Sequence, residues 1–101
     1  MVENKDEYTQ KELEDLLKEK LVNLKELEQI GKNSNYIQEL SDIALIQLQL
    51  ELFKESEKNY LLCLKHFQIE KDRLGQAAVY GVLGTLYYKA RKQYPIFLVF
   101  H

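Results

Sequence analysis

At 101 residues the chain is the size of one domain, and folding at this length buries roughly two-thirds of the surface an unfolded chain exposes. A hydrophobic fraction of 46 % beside a charged fraction of 30 %, with only 4 Gly and 1 Pro, excludes a wholly disordered chain and favours helix. The single cysteine, Cys63, excludes an intrachain disulfide, and the apolar run at 96–100 falls far short of the about 20 residues a membrane helix needs.

The first stretch has no basic start followed by an apolar core, so no secretory leader is expected and a reducing cytoplasm is the expected compartment. The formal charge of −2 conceals an asymmetry. Residues 1–30 hold nine Asp and Glu against five Lys and Arg, whereas residues 71–101 hold five Lys and Arg against Asp72 alone. Such ends attract each other within or between chains, or simply solvate outer helix faces.

Thr9 and Glu12 have the spacing of a reciprocal helix cap, and Leu13, Leu16, Leu17, Leu21, Leu24, Leu27 and Ile30 recur every three or four positions. This predicts a helix over 10–30, closed by Gly31, the residue that best tolerates the backbone turn after a helix. A coiled-coil seam is the alternative use of these leucines, but only about three heptads are available, and packing within the chain is preferred. Asn35 and Gln38 then suggest a second cap. The helix that follows, to about residue 51 or 53, carries Tyr36, Ile37, Leu40, Ile43, Ala44, Ile46, Leu48 and Leu50 over much of its circumference, which implies neighbours on two sides.

A break is expected near 53–56, without Gly or Pro, before a third helix with Tyr60, Cys63, Leu64 and Phe67 on one side and Leu61 and Leu62 beside them. Asp72 is the candidate cap of a fourth helix over 73–91, expected to bury Ala77, Tyr80, Leu83, Gly84 and Tyr87 along one face. Pro95 and the uncharged, β-prone residues 96–100 close the sequence, and left exposed such a segment invites aggregation.

Shifting the second helix by about forty residues lays Leu40 on Tyr80, Ile43 on Leu83 and Ala44 on Gly84, with Phe53 close to Tyr94; a period near forty in a helical chain signals stacked helix pairs. The segment Asp72-Arg73-Leu74-Gly75-Gln76-Ala77-Ala78-Val79-Tyr80-Gly81-Val82-Leu83-Gly84-Thr85-Leu86-Tyr87-Tyr88 resembles the first helix of a tetratricopeptide repeat, of the longer-period subclass found in G-protein-signalling modulators. The resemblance places Tyr80 at the large-residue position, Leu83-Gly84 at the Leu-Gly pair and Tyr87 at the following aromatic. It also gives Gly84 a reason to be small, as the point where a partner backbone crosses.

The preceding repeat, residues 36–70, matches through Ala44, Phe53, Ser56, Tyr60 and Cys63, and 72–101 is an incomplete second repeat. The resemblance therefore implies an all-α antiparallel helix-turn-helix array of four helices with a short C-terminal segment, one domain over 1–101, whose function is to bind a protein or peptide. Chaperone-tail recognition is not implied, because the places where such domains present Lys and Asn hold Ser41, Leu45, Gly81 and Thr85.

Nothing in the residues points to catalysis, a cofactor or a metal. His66 and His101 are the only histidines and stand in no ligand spacing with Cys63, which reads as a small buried residue in place of Ala. Gly75, Gly81 and Gly84 follow no strand signal and precede no Lys-Ser/Thr pair, so they form no phosphate loop. The candidate partner-binding residues are Lys89, Arg91, Lys92, Ile96, Phe97 and Phe100, and the expected function is a non-catalytic interaction scaffold that self-associates through its C-terminal end. The alternatives are a nucleic-acid-associated regulator using the basic last third, though nucleic acid is the less expected partner, and a truncated repeat fragment without its own ligand.

Overall fold

A computed structural model describes residues 7–94, and these form four helices: α1 (Gln10–Ile30), α2 (Ser34–Gln49), α3 (Phe53–Ile69) and α4 (Arg73–Gln93). No strand occurs among the described residues. The packed pairs are α1 with α2, α2 with α3 and α3 with α4, each pair joined by a short turn, so consecutive helices reverse direction. The architecture is thus an all-α helix-turn-helix array that grows in one direction. Its radius of gyration, 14.6 Å, exceeds the about 13 Å of a compact hundred-residue domain for that reason.

The helix ends follow local chemistry. At α1 the Glu12 amide donates to Thr9 Oγ1 at 3.1 Å while the Thr9 amide donates to Glu12 Oε1 at 2.8 Å, and Gly31 ends the helix at φ 136°. Asp72 caps α4 by accepting from the Gly75 amide at 2.9 Å. The cap of α2 differs from the expected one. Asn33, not Asn35, stands outside the helix, and its Oδ1 accepts from the Asn35 and Tyr36 amides.

The α2–α3 and α3–α4 turns are the same structure built twice. In each, a residue in the left-handed region, Glu51 at φ 63° and Lys71 at φ 56°, follows the last helical turn. The Leu52 amide donates to the Gln47 carbonyl and the Glu51 amide to Leu48, as the Asp72 amide donates to Phe67 and the Lys71 amide to Gln68. This Schellman arrangement satisfies carbonyls that a helix end leaves open. It also moves the break to residues 50–52, ahead of the expected 53–56, so that Phe53 already belongs to α3.

The core runs along α2. Leu40, Ile43, Ala44, Tyr60 and Cys63 are buried, with Leu24 and Leu27 of α1 closing one side and Val79, Leu83, Leu86 and Ala90 of α4 the other. In α4 the structure corrects the expected stripe. Leu83 is buried and Tyr87 half-buried, but Ala77, Tyr80 and Gly84 lie in solvent, and the inward residues are Val79, Leu83, Leu86 and Ala90. Among the described residues no neighbour stands within 4 Å of where a Cβ on Gly84 would lie, so no described backbone crosses there. The close approach is at Gly75, where a Cβ would sit 2.6 Å from the Phe67 ring.

Opposite substitutions follow from this contrast. Gly75→Ala forces the Phe67 ring to move and lowers the melting temperature. Gly84→Ala gains helix propensity without meeting anything and raises stability by about 1 kcal/mol. Thermal unfolding of the two variants checks both signs.

Candidate functional site

The α2–α3 seam is packed with small polar groups that leave no space. Ser56 is fully buried and its hydroxyl donates to the Ala44 carbonyl at 2.7 Å; one helical repeat later the Cys63 thiol, also fully buried, faces the Ile37 carbonyl at 3.9 Å. Burial pushes the Cys63 thiol up to about 11, which favours its protonated form. Tyr60 beside it is pushed up to about 12, first by burial and then by the charges of Cys63 and Asp42. These residues hold α2 and α3 together.

Two polar contacts between helices were invisible in the sequence. The buried Glu57 of α3 accepts from the Tyr87 hydroxyl of α4 at 2.5 Å, and burial followed by this contact pushes the phenol up to about 12. On the other side, Lys20 of α1 lies 3.4 Å from both Glu39 and Asp42 of α2. Burial opposes its charge, but the two carboxylates outweigh it and hold the ammonium above its usual value. Both contacts join residues far apart in sequence and fix the angle between helices more than they supply net stability.

Among the described residues the outer face of α4 is uncovered. Residues 74–88 include no charged side chain. Val79, Leu83, Leu86 and Ala90 form the inward stripe at spacings of four, three and four. Ala77, Gly81, Gly84 and Tyr88 repeat those spacings two residues out of phase and are all exposed. Tyr80 is 55 % and Tyr88 63 % exposed beside the two glycines.

At the start of this face Gln68, Lys71, Arg73, Gln76, Ala77 and Tyr80 line a cavity of about 500 Å³. At its far end Lys89, Arg91 and Lys92 are exposed, and the Lys92 ammonium lies 5.4 Å from the Tyr88 ring centre. Among the described residues none of these five cations forms an ion pair. The other terminal helix is different: the outer side of α1 carries Lys11, Glu14, Asp15, Lys18, Lys25 and Glu26, with Val22 exposed among them. Of the expected partner-binding residues, Lys89, Arg91 and Lys92 fall at this end of α4, whereas Ile96, Phe97 and Phe100 lie outside the described residues.

No helix among the described residues is long and apolar enough to cross a membrane, and no group of three or more His, Cys, Asp or Glu there is placed to hold a metal ion. Comparison with protein-family models, with curated proteins and with solved structures finds no match.

Raised proton affinities give the fold an alkaline limit. Between pH 9 and 11 an unfolded chain releases the Cys63 proton while the folded one keeps it, so stability is complete below about pH 9 and falls as pH rises. Chemical denaturation at stepped pH should show this fall, and Cys63→Ala should flatten its first part. Tyr87→Phe takes a donor from the buried Glu57 carboxylate and should cost about 1–3 kcal/mol in the same assay.

Proposed function

We propose that this chain is a non-catalytic protein-interaction module of tetratricopeptide type, an adaptor working in the cytoplasm and binding another protein through the uncovered face of α4. The observation that carries this reading is that an uncharged helix face lies in solvent at one end of the array, while the other end is charged. An interior helix of such an array buries both sides, as α2 does between α1 and α3. α4 buries one side and presents on the other the residue types that tolerate close packing.

The helix-pair period near forty residues and the two identical turns twenty residues apart support the family reading. The nucleic-acid alternative has less support. Binding to phosphates calls for cations repeated along the contact, and those of α4 stand only at its two ends.

Affinity capture from cells with the intact chain and with a Gly81→Gln, Gly84→Gln variant tests the reading. Neutral glutamines at these open positions obstruct the face without altering charge or meeting the core. Proteins recovered with the native chain should be lost with the variant and retained with Glu14→Gln on α1; retention by the glutamine variant would refute α4 as the binding face.

A further inference from the structure

We infer that the occupant of the α4 face is an acidic amphipathic helix of another protein, its small or apolar seam along Ala77, Gly81, Gly84 and Tyr88 and a carboxylate near one end seated in the cavity of Lys71, Arg73 and Gln76. The inference rests on α4 being the binding surface and adds which chemistry that surface selects.

Charge placement is the first argument. Arg73 and Arg91 lie on one side of α4, separated by about 27 Å at the rise of a helix, with Lys71 beside the first and Lys89 and Lys92 beside the second. The neighbouring carboxylates, Glu70 and Asp72, border a different pocket, with Ser34, Gln38 and His66, and Asp72 also caps α4. The face is therefore an uncharged strip with a cationic group at each end, and a helix of about 20 residues with carboxylates near both ends spans it.

The cavity adds a specific seat. Two cations and the Gln68 amide border it, with the Tyr80 phenol at the rim, while the Gln76 amide there donates to the Phe67 carbonyl at 3.3 Å; the cations and remaining donors suit a carboxylate. Between the ends, Gly81 and Gly84 have no contact among the described residues that requires them, and they let a partner backbone approach closely.

The same features disfavour two surfaces that a second copy offers among the described residues. Antiparallel pairing of α4 with α4 sets Arg73 of one chain beside Arg91 and Lys92 of the other, and like charges oppose it. Stacking α4 on the outer side of a second α1 buries Glu14, Lys18 and Lys25 against an uncharged surface, which costs their hydration.

The test uses the full chain and a designed helical peptide of about 20 residues with an Ala-Leu seam and Glu at both ends, against the same peptide with Lys in place of Glu. Fluorescence anisotropy should show the Glu peptide binding at least about tenfold more tightly than the Lys peptide, with the preference shrinking as salt is raised. Arg73→Glu and Arg91→Glu should each weaken the Glu peptide, and Gly81→Gln with Gly84→Gln should abolish its binding, circular dichroism confirming that each variant folds. The peptide charge swap needs no protein variant and so stands even where one misfolds.

Equal binding of both peptides, binding of neither, or displacement of the Glu peptide by a single-stranded oligonucleotide at lower concentration would overturn the inference. So would light scattering that shows a dimer which Gly84→Gln dissociates, since a second copy then occupies the face. Cellular partners lost with the glutamine variant but indifferent to Arg73→Glu and Arg91→Glu would overturn the acidic partner while leaving the interaction module in place.

Discussion

The seam between α2 and α3 sets the distance at which everything else packs. Ala44 and Ser56 are both fully buried there, and the Ser56 hydroxyl donates its hydrogen bond to the Ala44 carbonyl. A buried hydroxyl without such an acceptor is costly, so the small size and the polarity of residue 56 serve the same contact. With the two helices held this close, Tyr60 and Ile43 fill the interior, and the outer flanks of the pair become the floors on which α1 and α4 lie.

Because each helix packs on its neighbours in sequence, the array has two ends, and the chain treats them differently. The first end is finished in water: alternating Lys, Glu and Asp cover α1, and Lys20 reaches inward to Glu39 and Asp42, pinning that helix to α2. The second end is unfinished. Its helix has two uncharged stripes where a terminal helix needs one, and only one of them has a partner among the described residues.

That doubling also explains what the sequence could and could not disclose. Helix ends were legible where a side chain caps nearby backbone, as at Thr9 with Glu12 and at Asp72, and where a glycine, Gly31, stops the helix. The start of α3 was hidden because its turn uses neither Gly nor Pro; Glu51 takes the left-handed conformation that sequence reading assigns to glycine. Asn33 and Asn35 are chemically equivalent candidates for one cap, and only the path of the chain chooses between them. In α4 periodicity identifies a helix but cannot orient it, since Ala77, Gly81, Gly84 and Tyr88 are as uncharged as the buried stripe. The pairing of Glu57 with Tyr87, thirty positions apart, has no local signature at all.

α4 is held at both extremities. Near its start the Asp72 cap and the contact of Gly75 with Phe67 fix it against α3. At its end the Gln93 amide donates to Glu51 at 2.7 Å, and Tyr94 meets the Phe53 ring edge-on with centres 6.1 Å apart, both on the segment that begins α3. A helix anchored in this way behaves as a rigid straightedge. A partner laid along it gives up its own freedom but need not reorganise the surface that receives it, so association draws on a shape that folding has already set.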